Sequence, residues 1–166
     1  MKKLLLPLLL SLLLVTLIAC GGDTETIPDI NFEECFTTES VGGLWTVTGV
    51  TDTGKAQSVL VIPAQVGGTA VQSVAAGTFT GCSALKIVYI QADSKIAYLN
   101  TGAFDGASGL KKIVIEKNPL DITVSGNLLD GAASGAKVYV PADKYADTVA
   151  YYTWGAFSAK IAKIEG

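Results

Sequence analysis

The sequence contains no histidine and no arginine, and only three of its 166 residues are cysteine. Without histidine the chain lacks the commonest general base and metal ligand. Without arginine, and with a formal net charge of −3, it lacks the basic surface that is typical of nucleic-acid-binding proteins. These absences argue against a histidine-based catalytic triad, a histidine metal site and binding to DNA or RNA.

Sequence motifs for catalysis are missing as well. There is no G-x-S-x-G nucleophile elbow and no glycine loop that ends in Lys-Ser or Lys-Thr. Cys35 and Cys82 lack the spacing of a zinc site. Asp105 and Asp130 lie twenty-five residues apart, which indicates a repeated turn rather than a catalytic pair. We therefore expect no enzyme activity, no cofactor and no metal ion.

The N-terminus has the pattern of an export signal. Lys2 and Lys3 precede an apolar run over 4–19 that contains Pro7 and is short for a membrane-spanning helix, the alternative interpretation. The end of the run, "LIAC" (17–20), resembles the lipobox of bacterial lipoproteins. This resemblance implies a lipoprotein signal peptide over 1–19 and a lipid on the thiol of Cys20, which anchors the protein to a membrane.

The segment that follows is acidic. Residues 20–40 contain six acids and no base, and they start with two glycines after Cys20, so we predict a flexible, solvated tether. Acids soon after a lipidated cysteine also resemble the surface-export signals of some outer-membrane lipoproteins. That resemblance implies a protein of the cell envelope, anchored in the outer membrane and exposed at the surface. Without Lys2 and Lys3, ten lysines face fifteen acids, a formal charge of −5.

The chain repeats itself. "GTFTGCSALKIVYI" (77–90) and "GAFDGASGLKKIVI" (102–115) agree at half of their positions, and a degraded third copy reaches Val140. A period of twenty-five residues predicts a solenoid of stacked parallel strands. Residues two apart in a strand face the same side, so the strands over 88–90, 113–115 and 138–140 would share one apolar interior. Phe79 and Phe104 would cover that interior from the opposite wall.

Small residues and cysteines fit the same repeat. Cys82 lies at the repeat position of Ala107 and Ala132, a slot that suits a buried free thiol. An exported protein could instead pair Cys82 with Cys35. The sequence leaves both states open.

The two ends of the repeats need covering elements. Alternating apolar residues around the turn "TDTGK" predict a β-hairpin over 44–62, and the repeats would occupy about 63–140. Residues 141–166 would form the C-terminal cap. That cap would hold a helix with Tyr145, Val149 and Tyr152 on one side, and core-covering side chains from Trp154, Phe157 and Ile161.

The pattern resembles the BspA-like leucine-rich-repeat family of bacterial surface proteins. The residues that carry the resemblance are "VIPAQVGGTAVQSV" (61–74), the two repeats over 77–90 and 102–115, and the closing segment 137–164. The resemblance implies an α/β solenoid over 41–166: a short leucine-rich-repeat stack with parallel strands, an N-terminal hairpin and a C-terminal cap. It also implies non-catalytic adhesion or protein binding at the cell surface.

Binding would use the outward side of the repeat strands. Stacking in one register would align Tyr89, Val114 and Tyr139 on an exposed sheet face, where rigid aromatic and apolar groups anchor partners. These residues are also good strand formers, which is the structural alternative. The candidate ligand-binding residues are Ile87, Tyr89, Gln91, Lys112, Val114, Glu116, Lys137 and Tyr139. Other functions left open are a structural role in an envelope assembly and glycan binding, for instance by Trp154.

Overall fold

The structure, a computed structural model, describes residues 26–165 and is mostly β-sheet. The predicted signal peptide and Cys20 lie outside these residues. The strands are β1 (Phe36–Val41), β2 (Leu44–Val50), β3 (Val59–Val61), β4 (Gln65–Val66), β5 (Thr69–Ala70), β6 (Ser73–Val74), β7 (Ile87–Ile90), β8 (Tyr98–Leu99), β9 (Lys112–Ile115), β10 (Thr123–Val124), β11 (Lys137–Val140) and β12 (Ile161–Lys163).

Helical segments are few and short. The α-helices are α1 (Asp52–Lys55) and α2 (Tyr145–Ala150), and 3-10 turns cover Phe32–Cys35, Pro119–Asp121 and Gly155–Lys160. This content is compatible with an α/β class, although strands and turns carry most of the architecture.

Two five-stranded sheets enclose the core. Sheet A has the order β1-β2-β6-β8-β10, and sheet B has the order β12-β11-β9-β7-β3. From β6 to β11, successive strands alternate between sheet A and sheet B. Each strand is therefore paired with the strand that lies two before it in the chain. Within each sheet these neighbours are parallel, whereas β1 with β2 and β4 with β5 form antiparallel pairs.

The register of both sheets follows the period of the sequence. In sheet B, Val88 pairs with Ile113 and Ile113 with Val138, each twenty-five residues apart. In sheet A the same offset joins Val74 to Leu99 and Leu99 to Val124. The prediction that 88–90, 113–115 and 138–140 lie side by side is therefore confirmed.

The apolar core lies between the inner rows of the two sheets. Val88, Ile113 and Val138 from sheet B are fully buried there. Phe79 and Phe104 are buried in the same core, but they lie in the turns that connect the two sheets, and sheet A forms the opposite wall that was predicted for them. Cys82 and Ala107 are also buried, and Ala132 packs against the same cluster, so the small slot predicted from the repeat is confirmed. Both Cys35 and Cys82 are free thiols.

The predicted hairpin over 44–62 is wrong. The hairpin is formed by β1 and β2 around Gly42 and Gly43, whose positive φ angles of 58° and 84° suit a tight two-residue turn. β3 belongs to the other sheet, because Thr51 starts a helical turn instead of a hairpin loop. Its Oγ1 accepts a hydrogen bond from the N–H of Gly54 at 3.3 Å.

The predicted tether over 20–40 is also too long. Residues 26–40 belong to the folded domain, with Cys35 and Phe36 buried in the main core and β1 paired along its length. Asn31 starts the first 3-10 turn by accepting a hydrogen bond from the N–H of Glu33. The apolar residues between the acids supply this burial, whereas Asp29, Glu34 and Glu39 are exposed and Glu33 is half-buried.

The C-terminal cap follows the prediction in most respects. Trp154, Phe157 and Ile161 are buried in the main core, and β12 extends sheet B beside β11. The helix forms over 145–150. Tyr152 lies beyond its end and is 81% exposed, so its predicted place in this helix is wrong.

Candidate binding surface

The residues proposed for binding form two rows on the outer side of sheet B. Ile87, Lys112 and Lys137 are neighbours in the first row. Tyr89, Val114 and Tyr139 are neighbours in the second, so the predicted alignment is confirmed. Gln91 and Glu116 follow the ends of β7 and β9 and are half-buried.

Half of this outer side is covered. Ile87 is only 3% exposed and Tyr89 6%, because they form a second apolar cluster with Val59 and Val61 of β3. Ile27 and Phe32 from the N-terminal segment pack against this cluster. The expectation of an exposed face is therefore wrong for β7, since a segment taken as tether lies on it.

The half of the outer side formed by β9 and β11 is more exposed to solvent. Lys137 is exposed, and Val114 and Tyr139 are half-buried. Lys112 is only 9% exposed despite its charge. The predicted residues thus share a face but differ in their access to a partner.

Glu116 and Lys117 lie at the end of β9 and show how this edge is held. Burial raises the pKa of the Glu116 carboxyl; a hydrogen bond from the N–H of Ala92 opposes this shift, and the charge of Asp93 adds to it. Burial likewise lowers the pKa of Lys117, whose Nζ donates a hydrogen bond to the carbonyl oxygen of Ile96 at 2.7 Å. These contacts fix the loop between β7 and β8.

Sheet A carries an outer row that the sequence analysis missed. Four residues that carry hydroxyl groups are consecutive neighbours across β2, β6, β8 and β10: Thr46, Ser73, Tyr98 and Thr123. Thr46 and Ser73 are buried, whereas Tyr98 is 42% exposed and Thr123 is exposed. The signal was present in the sequence, because 73, 98 and 123 follow the same twenty-five-residue period.

Asn100 stabilises this row from the loop that follows β8. Its Nδ2 donates hydrogen bonds to the Oγ of Ser73 at 3.2 Å and to the carbonyl oxygen of Val74 at 2.8 Å. Asn100 thereby ties the end of one strand to its neighbour. The position of Tyr98, two residues earlier, is held by the same loop and by pairing on both sides.

Trp154 is unsuited to glycan binding, and Cys35 and Cys82 are not paired. Trp154 is fully buried and packs edge-on against Phe157 with ring centroids 5.6 Å apart, so its ring has no free face for a sugar. Burial raises the pKa of the Cys35 and Cys82 thiols, which keeps them in the unreactive protonated form.

No group of three or more metal-ligating side chains occurs in residues 26–165, and no helix in that range is both long and apolar enough to cross a bilayer. Comparison of the chain with protein-family models, curated proteins and solved structures gives no match.

Proposed function

We propose that this chain is a lipid-anchored bacterial envelope protein whose short, BspA-like leucine-rich-repeat solenoid binds a protein partner at the cell surface without catalysis. The twenty-five-residue register in both sheets supports the solenoid. Solenoids present rigid, repetitive faces to their partners. The lipobox-like segment 17–20 supports the anchor.

The outer row of sheet A is the partner surface in this proposal. The observation that carries it is Tyr98, a large side chain that is 42% exposed although its strand is paired on both sides. Tyrosine is enriched at interface hot spots because it combines a rigid apolar ring with a hydroxyl group. Val41 in the edge strand β1 adds an apolar side chain that is 50% exposed on the same sheet.

A matched pair of variants tests this surface. Beads that carry the mature domain are incubated with envelope extract and, separately, with host extracellular matrix proteins, and the retained proteins are quantified by mass spectrometry. Tyr98→Ala should lose a specific retained protein, whereas Tyr152→Ala, which removes an even more exposed tyrosine from the cap, should keep it. Equal retention by both variants would contradict a binding role for Tyr98.

The anchor has its own test. Cells that express the full chain are grown with a labelled fatty acid, and the protein should take up the label, whereas Cys20→Ala should not. Protease treatment of intact cells should then degrade the domain if it faces outward. Label on the Cys20→Ala variant would contradict the anchor and leave the binding proposal standing.

Glycan binding at the same place is a second candidate. Tyr98 and Thr123 both carry hydroxyl groups, are exposed and are paired on neighbouring strands. A glycan array with wild type and Tyr98→Ala separates the two candidates. A retained envelope protein at one copy per domain would instead favour a structural role in an assembly.

A further inference from the structure

Among residues 26–165, β1 (Phe36–Val41) is the longest open edge of the two five-stranded sheets. It ends the strand order of sheet A and is paired with β2 alone. The other three edge strands are shorter: β10 has two residues, β3 lies against the 3-10 turn Phe32–Cys35, and β12 lies beside α2. β1 contains neither lysine nor proline, which commonly protect an edge from pairing with another chain. It is therefore the strand best suited to accept a further strand.

The hydrogen bonds of β2 show which backbone groups of β1 point to the open edge. The carbonyl oxygens of Trp45 and Val47 accept hydrogen bonds at 2.8 and 2.9 Å from N–H groups that flank β6. In an antiparallel pair, a residue that directs its groups away from its neighbour lies opposite one that does the same. The residues opposite Trp45 and Val47 are Ser40 and Thr38. The N–H and carbonyl groups of Ser40 and Thr38 therefore face away from the sheet.

The same alternation reaches the start of β1. The carbonyl oxygen of Cys35 accepts a hydrogen bond from the N–H of Thr51 at 2.9 Å, so Cys35 is directed toward β2 and Phe36 away from it. The N–H of Phe36 already closes the first 3-10 turn, which leaves its carbonyl oxygen for the open edge. The open edge thus presents both backbone groups of Thr38 and of Ser40 and the carbonyl of Phe36.

A second copy of β1 fits this edge in one antiparallel register. In a symmetric pair the outward-facing residues must lie opposite each other. A pair centred on Glu39 would place two like charges opposite each other, which is destabilising. A pair centred on Ser40 would place Thr38 opposite Gly42, whose φ of 58° belongs to the hairpin turn, and one centred on Thr37 would leave Ser40 beyond the end of the other strand. A pair centred on Thr38 avoids these faults.

We infer that β1 binds β1 of a second copy of this chain as an antiparallel pair centred on Thr38, so that both copies of sheet A form one continuous sheet. In this register Thr38 exchanges two hydrogen bonds with Thr38 of the second copy. The N–H of Ser40 donates to the carbonyl oxygen of Phe36 of the second copy. Glu39 lies opposite Thr37 of the second copy, whose hydroxyl group can donate to the carboxylate.

The dimer goes beyond the proposed partner binding and does not depend on it. Residues that are opposite each other in an antiparallel pair point to the same side of the sheet, so the outer rows of both copies share one side. Tyr98 would then be presented twice on one surface. Loss of binding in the Tyr98→Ala variant leaves the strand pair intact, and a monomeric chain leaves the role of Tyr98 intact.

Disulfide formation tests the register. The full chain is purified in detergent with Thr38→Cys, oxidised with copper phenanthroline and separated by gel electrophoresis without reductant. Opposite Cα atoms in a hydrogen-bonded pair lie about 5.5 Å apart, which a disulfide can span, so a covalent dimer should form. Ser40→Cys is the matched control, because Ser40 is more exposed than Thr38 but lies about 14 Å from its counterpart in this register. It should give about fivefold less dimer. Wild type sets the background from the native cysteines.

Thr38→Pro tests the strand pair without a cross-link. The N–H of Thr38 points away from β2, so proline should keep the hairpin but remove a donor from the open edge. Sedimentation in the same detergent should show wild-type dimers that dissociate on dilution, and Thr38→Pro should be monomeric with an unchanged circular dichroism spectrum. Equal cross-linking of Ser40→Cys and Thr38→Cys would overturn the inference, as would a wild-type chain that stays monomeric at every concentration.

Discussion

The ring of Phe79 stacks on the ring of Phe104 with centroids 4.7 Å apart and planes inclined by 12°. The two residues are twenty-five positions apart and occupy the same place in consecutive repeats of the sequence. Both are fully buried, and Phe36 continues the contact by packing edge-on against Phe79 at 6.2 Å. The side wall of the core is therefore an aromatic column that begins at β1.

Truncation within this column should be costly. Phe104→Ala removes a stacked partner and leaves a cavity, and we expect the free energy of unfolding to fall by about 3–5 kcal/mol. Urea denaturation followed by circular dichroism measures this change. Thr123→Ala, at an exposed strand position, should change the same quantity by less than about 0.5 kcal/mol. Similar losses in both variants would contradict a structural role specific to the column.

Because one half of sheet B is covered, alanine substitutions of two tyrosines should differ strongly in their effect on the free energy of unfolding. Tyr89 packs beneath the N-terminal segment, so Tyr89→Ala should lower the free energy of unfolding by about 2–4 kcal/mol. Tyr152→Ala should have almost no effect. A double-mutant cycle of Tyr89→Ala with Phe32→Ala should show non-additivity, since both belong to one cluster. Additive losses would show that the segment does not cover Tyr89.

Neighbouring turns approach closely at one glycine and not at another, so alanine substitutions at these two glycines should differ in their effect on stability. A Cβ at Gly109 would lie 2.5 Å from the carbonyl oxygen of Ser83, and one at Gly135 would meet no atom within 4 Å. Gly109→Ala should therefore destabilise the domain by about 1–3 kcal/mol. Gly135→Ala should be neutral or stabilise it by up to about 1 kcal/mol, because alanine restricts the unfolded chain. Thermal unfolding of both variants gives the comparison.

The half-buried carboxyl of Glu116 at the end of β9 predicts a pH effect on stability. Because the pKa of Glu116 is higher in the folded state than its ordinary value of 4.5, the folded state binds this proton more tightly than the unfolded chain. The contribution of Glu116 to stability therefore falls as pH rises from about 4.5 through the raised pKa. Glu116→Gln should remove this loss.

The measurement compares the free energy of unfolding of wild type and Glu116→Gln between pH 4 and pH 8. The advantage of the glutamine variant should grow across the lower part of this range and then level off. A difference that is independent of pH would show that burial of the carboxyl does not affect its titration.

The repeated part of the fold was predictable because its period sets the register directly. Val88, Ile113 and Val138 recur every twenty-five residues, so their pairing followed from the sequence. The N-terminal part has no such period. The residues that its parallel strands pair lie more than twenty-five positions apart in the chain, as Val59 and Ile87 do. In addition, two segments had the sequence of a hairpin turn, Gly42–Gly43 and the residues around Gly54, and only the first forms one.

The solvent exposure of the candidate binding residues depends on contacts with distant parts of the chain, which no local sequence pattern reveals. Ile27 and Phe32 lie among acids, and that composition predicted a solvated tether, yet both side chains pack against the cluster that contains Ile87 and Tyr89. The outer row of sheet A that contains Tyr98 has the same period as the core, but the strands β6, β8 and β10 are only two residues long, which made this row hard to recognise in the sequence.

The constant offset between neighbouring strands makes the length of this protein adjustable by whole units. β7 to β9 and β9 to β11 are each separated by twenty-five residues, while the first and last pairs of sheet B have offsets of their own. An in-frame duplication of one central unit would therefore lengthen both sheets and the aromatic column together, and the two terminal elements would still fit their original neighbours. Variation in copy number would change the length of the domain without redesign of its ends.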